Sequence, residues 1–246
     1  MEMTANEAAA DGQQLRVVDS SLMMKVFYVF AALALLSVAI SLGGKWLGRS
    51  IAMAGYTDDT TPHEIVIGND VITVPANVIR FERARRDGIA SRLDLYFRYP
   101  QMDGYSAATR DDFNDAGGRR TIVFLSFEER MMSRDMSGRF DPIYRNLIVQ
   151  PGKPGPGGTT LYDFTEKSGY LNEVLAVASR PGKDPFVARC LSGPSAQESL
   201  APCERDVHVG ANLSLSYRFP RELLADWQAL DAAIAAETGS ILKTAR

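Results

Sequence analysis

Histidine and cysteine are scarce in this chain: 246 residues carry two of each. Two imidazoles, His63 and His208, do not make a histidine-rich metal centre. Cys190 and Cys203 lack the spacing of a zinc finger or ribbon, and His208 is the only imidazole near them. No serine lies in a G-x-S-x-G elbow and no S-x-x-K occurs. Acids neighbour each histidine (Glu64; Glu204 and Asp206), but a Ser-His-Asp arrangement is defined by geometry and not by sequence position. Both histidines therefore read as ordinary surface or sheet residues. An excess of basic charge is also missing: 27 Lys and Arg stand against 30 Asp and Glu. That balance excludes the electrostatic footprint of a nucleic-acid binder.

Three further stretches fall short of a motif. PGKPGPGG (151–158) has no G-K-[ST] ending, and its prolines remove the amide donors that cradle phosphate. Asp111, Asp112, Asn114 and Asp115 precede Gly117-Gly118 in the manner of a calcium loop. With Asp112 as first ligand, Ala116 falls at the fifth position and Val123 where the bidentate Glu belongs. Arg119 and Arg120 also oppose a cation there, so a solvated loop is the reading. Met131, Met132 and Met136 lack the repeated spacing and histidine partner of a copper site. No catalytic residue, cofactor ligand or metal ligand is assigned.

One long stretch lacks charge altogether. VFYVFAALALLSVAISLGG, Val26 to Gly44, lies between Lys25 and Lys45-Trp46. As a helix, about 19 residues at roughly 1.5 Å each span about 28 Å, close to the hydrocarbon thickness of a bilayer. In lipid a single segment must satisfy its own backbone, which only a helix does. The flanking lysines suit the headgroups, and Tyr28 and Trp46 the interfaces. A cleaved signal peptide is the rival reading, with Ser37-Val38-Ala39 as cleavage site. The long acidic region before the run, and the continuation of the run past that site, favour an uncleaved signal anchor. Flanking charge is nearly tied, two basic residues on each side, so orientation rests on usual signal-anchor behaviour and on the cysteines.

Residues 1–44 hold Arg16 and Lys25 against Glu2, Glu7, Asp11 and Asp19, leaving 25 basic and 26 acidic groups in the remainder. That remainder is long enough for one domain with a real core. Both cysteines flank one Ser-, Gly- and Pro-rich segment. A disulfide between Cys190 and Cys203 would stabilise by roughly 3 kcal/mol in the chain-entropy model and belongs to an oxidising compartment.

Hydrophobic periodicity outlines the rest. Glu64–Ile67 and Val71–Val74 around Gly68-Asn69 read as a hairpin. Arg92–Tyr99 alternates, with Leu93, Leu95, Phe97 and Tyr99 inward and Arg92, Asp94, Tyr96 and Arg98 outward. Gln101–Gly118 reads as a long polar loop, and Thr121–Phe127 as a central strand. A helical turn is expected at Asp141-Pro142. Further strands are expected at 161–164, 170–178, 186–190, 206–209 and 212–219. Leu223, Trp227, Leu230 and Ile234 form the apolar stripe of a final helix that Gly239 would end; the stripe packs on the sheet or meets a partner. Arg80, Arg83, Arg85, Arg86 and Arg92 make a local basic cluster. It reads as a solvated face, with anionic lipid heads or a wall polymer as the alternative contact.

The expected organisation is a cytoplasmic, disordered tail (1–22), a transmembrane helix (23–44), a linker (45–62) and a β-rich, mainly antiparallel α+β domain (63–246). The domain ends in an amphipathic helix and is either continuous or split at 151–158. The anchor-plus-domain layout, with the run NLSLSYRFPRELLADWQALD (212–231), resembles uncharacterised single-pass envelope proteins of proteobacteria. The resemblance implies a bacterial inner membrane with the domain in the periplasm, and brings no active site or ligand. The functional expectation is a binding or interaction protein, an accessory or assembly component of an envelope complex. The alternative is a membrane-tethered hydrolase or carbohydrate-binding module, with acids near His208 or on the 101–118 loop.

Overall fold

The computed structural model describes residues 20–52 and 55–243. It divides into two compact units, Met1–Ala54 and Gly55–Arg246. Most of the tail expected over residues 1–22 lies outside the described residues.

In the first unit, helix α1 (Ser20–Ala52) extends beyond Gly44, where the uncharged run ends. Its window Met23–Ser41 is long and apolar enough to cross a membrane by length and composition. Large apolar side chains along it are exposed, from Val26 at 46% to Leu35 at 71%.

The second unit contains β1 (Pro62–Ile67), β2 (Asp70–Pro75), β3 (Gly88–Ile89), β4 (Arg92–Arg98), α2 (Arg110–Phe113), β5 (Ile122–Glu129), β6 (Lys153–Pro154), β7 (Thr160–Asp163), β8 (Glu173–Arg180), β9 (Lys183–Leu191), α3 (Pro194–Glu198), β10 (Cys203–Val209), β11 (Leu213–Phe219) and α4 (Trp227–Ile241). The eight-stranded sheet runs β4-β5-β11-β10-β9-β8-β7-β6, with every neighbouring pair antiparallel. A smaller sheet, β2-β1-β3, has one parallel pair, β1 with β3. The unit is α+β, as the apolar periods indicate.

Period-two alternation gives β4, β5, β8, β9 and β11 of the large sheet a common apolar face. Leu95, Phe97, Leu125, Leu215 and Tyr217 belong to one core cluster with Trp227, Leu230 and Ile234 of α4 and with Ile65, Ile67 and Ile72 of the small sheet. The C-terminal stripe therefore packs inward. Residues 221–226 form a 3-10 turn, whose different period puts Leu224 in the core and leaves Leu223 only partly buried. Gly239 lies inside α4 and does not end it: Ile241 is buried in the same cluster, and Leu242 bridges to Ile72.

Asp70 fastens the small sheet to the large one. It is fully buried, and its carboxylate accepts the backbone N–H groups of Ala211 and Asn212, both at 2.9 Å. Gly210 (φ +60°) is required beside it, since a Cβ there would lie 2.6 Å from Asp70 Oδ1.

The opposite, outer face is covered only at its two ends. Towards β7–β9, Met136, Tyr144 and Ile148 cover Leu175 and Val187. Towards β4, Tyr105 and Phe113 cover Tyr96 and Ile122. Tyr96 is thus 2% exposed, although alternation places it on the polar phase of its strand. The 101–118 segment is not an open polar loop, because α2 and its neighbours fold back over β4 and bring Phe113 down. Tyr56 stacks on Tyr105 with ring centroids 4.8 Å apart and donates its hydroxyl to Phe113 O at 3.1 Å. The packed unit consequently starts before His63.

Residues 151–158 do not break the sheet. They supply its two-residue edge strand β6 and a 3-10 turn that seats on the start of the C-terminal helical region, where Trp227 Nε1 donates to Gly157 O at 3.1 Å. Proline is tolerated at that edge, where no further strand needs its N–H.

Candidate functional site

Between the two covered ends, the outer face carries polar rungs that cross four strands. Strand register places Asp94, Ser126, Ser216 and Asp206 side by side on β4, β5, β11 and β10. One rung away, Arg92, Glu128, Ser214 and His208 are aligned in the same way. On the other side, Tyr96, Phe124, Arg218 and Glu204 form a third rung, which Arg189 of β9 continues. Residues directly opposite on antiparallel strands share a face. The result is a trough of about 540 Å³ with a polar floor, walled on one side by Arg80 and on another by Ser199–Ala201. A second groove of about 490 Å³ adjoins it, since Arg92 and Asp94 border both.

One half of the floor is locked. Arg92 Nε donates to both oxygens of Asp94 at 2.9 Å, and its two other nitrogens reach Ser126 Oγ (2.9 Å) and the Glu128 carboxylate. Ser126 Oγ donates to Asp94 as well. Burial acts to raise the Asp94 carboxyl. Hydrogen bonds from Arg92 and Ser126, with the positive charges of Arg92 and Arg80, outweigh it and hold Asp94 below the ordinary carboxylate range.

The other half is open. The Arg80 guanidinium stacks over Phe124, with Cζ 5.0 Å from the ring centroid, and over Phe81 at 5.1 Å. Arg218 donates to Ala201 O at 3.1 Å and to Ser199 Oγ at 3.4 Å. At the far side of β10, Asp206 pairs with Arg139 and accepts from Met136 N at 3.1 Å. Its carboxyl is raised by burial, against the lowering effect of Arg139.

Cys190 and Cys203 are joined by a disulfide and are direct cross-strand neighbours on β9 and β10. These strands pair only there and at Arg189–Glu204, then separate. Arg205, 1% exposed, bridges the opening: its guanidinium donates to Val187 O (3.0 Å) and Ser137 Oγ (2.9 Å) and pairs with Asp231 of α4 (3.3 Å). The disulfide and this buried arginine keep the middle of the sheet continuous beneath the trough.

Other residues weighed in the sequence lie elsewhere. His63 Nδ1 is 3.2 Å from Asp87 Oδ1, by the small sheet. On the outer face, His208 is opposite Ser214. Asp112 pairs with Arg98 and Arg119, and Asp115 accepts from Arg120 N. Met131 and Met132 are exposed, whereas Met136 is buried. Among the described residues no group of His, Cys, Asp and Glu is arranged to hold a metal ion.

Arg80 was one of five arginines in the basic cluster that the sequence marks, read there as a solvated face, and the Ser126–Ser216 rung was not anticipated. The polar phases of β4 and β11 were its signal, but alternation does not say which strands lie side by side.

No family model and no curated protein matches the chain. Solved structures similar to it include an immunity protein of the Stenotrophomonas maltophilia type IV secretion system, Smlt3025. That protein shares 14% identity, with 75% of this chain and 94% of that chain covered and a TM-score of 0.48. The iron-regulated outer membrane lipoprotein FrpD of Neisseria meningitidis shares 9% identity, with 75% and 95% covered and a TM-score of 0.42.

Proposed function

We propose that this is a bitopic protein of the bacterial inner membrane: α1 is an uncleaved signal anchor, and the β-rich unit works in the periplasm as a binding domain for another envelope protein. One combination carries the reading, a lipid-length helix with exposed apolar side chains in the same chain as a disulfide. Exposed apolar surface on this scale is not left in water by soluble monomers. Disulfides persist in oxidising compartments and are rare in the cytosol. The trough supplies the binding surface: a sheet floor with fixed polar groups, bordered by exposed Leu200 and adjoined by a groove that carries exposed Phe81 and Ile89.

Alkaline extraction of membranes with intact-mass measurement tests the anchor. The expected result is a full-length chain retained in the membrane pellet. A shorter chain beginning after Ala39 and released to the supernatant would establish a cleaved signal peptide instead.

A further inference from the structure

The three guanidiniums of the trough are unequally committed. Arg92 is held by two carboxylates and a hydroxyl, and Arg218 by a carbonyl and a hydroxyl. The Arg80 guanidinium donates no hydrogen bond to any described residue and lies over the rings of Phe124 and Phe81, the latter shared with Arg83 at 5.5 Å. A stacked guanidinium keeps its N–H donors along its edges, and that planar fork matches a carboxylate in bidentate fashion. Asp94 and Glu128 occupy the other half of the floor and repel an incoming carboxylate, which directs it to the Arg80 side.

The setting indicates what bears the carboxylate. The trough and the adjoining groove, of about 540 and 490 Å³, share Arg92 and Asp94 and offer far more room than one small anion fills, whereas an extended chain advances about 3.3 Å per residue. Apolar side chains stand in water along it: Ile89 is 89% exposed, Leu200 44% and Phe81 38%. Arginine and aromatic residues amid apolar contacts are the composition of protein-interface anchors.

We infer that the trough and its adjoining groove bind an extended segment of a protein partner, with an Asp or Glu carboxylate of that segment on Arg80 in the trough and its apolar side chains against Leu200 in the trough and Ile89 in the adjoining groove. This rests on the binding-domain reading above and adds the chemistry of the partner.

The test uses the full-length chain in dodecylmaltoside and fluorescein-labelled decapeptides of alternating Val and Ser with a central Glu, Gln or Lys, followed by fluorescence anisotropy. The Glu peptide should bind at least about tenfold more tightly than the Gln peptide, a factor of ten being the least expected of a charge-paired anchor. Arg80→Gln should abolish that ratio, Arg80→Glu should transfer the preference to the Lys peptide, and Arg119→Gln, away from the trough, should leave it unchanged. Thermal melts establish that each variant is folded. Equal binding of the three peptides, no binding, or a Glu preference that survives Arg80→Gln overturns the inference. Displacement of the Glu peptide by acetate at equal concentration would make this a small-anion site. Arg80-dependent displacement by phosphatidylglycerol mixed micelles would make it a lipid-headgroup site. Either result overturns the inference too. Failure here with the domain shown to be periplasmic leaves the tethered reading standing; a cytoplasmic domain removes that reading whatever the peptides do.

Discussion

Arg80 and Phe124 meet across the edge of the large sheet, the guanidinium carbon 5.0 Å from the ring centroid. The contact joins the segment that follows the small sheet to the outer face of β5. It also brings a positive charge close enough to lower the neighbouring Asp94 carboxyl.

A pH dependence follows from that charge. Asp94 titrates below its ordinary value in the fold, so it contributes stability that is present above the unfolded pKa of about 3.9 and is lost as pH falls through the depressed folded value. In Arg80→Gln the Asp94 carboxyl should titrate at higher pH, and the acid-side loss of stability should begin earlier. Carboxyl carbon chemical shifts followed against pH read the first effect, and urea unfolding at several acidic pH values reads the second.

The buried Arg205–Asp231 pair should be sensitive to the loss of one partner. Asp231 also accepts from Tyr217 Oη at 2.8 Å and pairs with Arg180. Asp231→Ala leaves a buried guanidinium without its carboxylate and should cost about 3–5 kcal/mol. Arg205→Met combined with Asp231→Ala should cost less than the two single changes summed. Denaturant midpoints of the four proteins close the cycle.

Asp70 should behave as a structural carboxylate. Asp70→Ala removes the acceptor of two backbone N–H groups, each bond to a charged group being worth about 1.5–3 kcal/mol. The expected outcome is a large fall in melting temperature, with faster amide exchange at Ala211 and Asn212. Gly210→Ala should also destabilise, because its Cβ would strike Asp70 Oδ1 at a positive φ.

The disulfide joins the two strands that diverge beside it. Cys190→Ala with Cys203→Ala should lower stability by roughly 3 kcal/mol. Both sulfurs are buried, so alkylation must be done on the unfolded chain. Without reductant neither cysteine should react, and with reductant both should.

Much of the fold was legible because alternation and turn chemistry are local. The hairpin at Gly68-Asn69, the inward phases of β4 and β11, the central place of β5 and the existence of α4 could all be read from neighbouring residues. Long-range covering was not: Tyr96 looks solvent-facing until Tyr56, Tyr105 and Phe113 arrive from other parts of the chain. The same reason hid the trough. Asp94, Ser126 and Ser216 become a site only through register, which three separate polar phases do not specify. Arg80 was visible as one of a run of arginines; Arg83 shares the Phe81 ring with it, and the reach to Phe124 on the outer face of β5 is what sets Arg80 apart. Gly239 misled because a glycine near a helix end signals a cap, and tertiary burial of Ile241 carried the helix past it.

The tethered, extracytoplasmic placement is tested most directly by topology reporters joined after Arg246 and expressed in bacterial cells. Alkaline phosphatase, which needs an oxidising compartment to become active, should be active in that fusion, and a green fluorescent protein fusion at the same position should be dark. A silent phosphatase with a bright fluorescent fusion would place the disulfide-bearing domain in the cytoplasm and contradict the proposal.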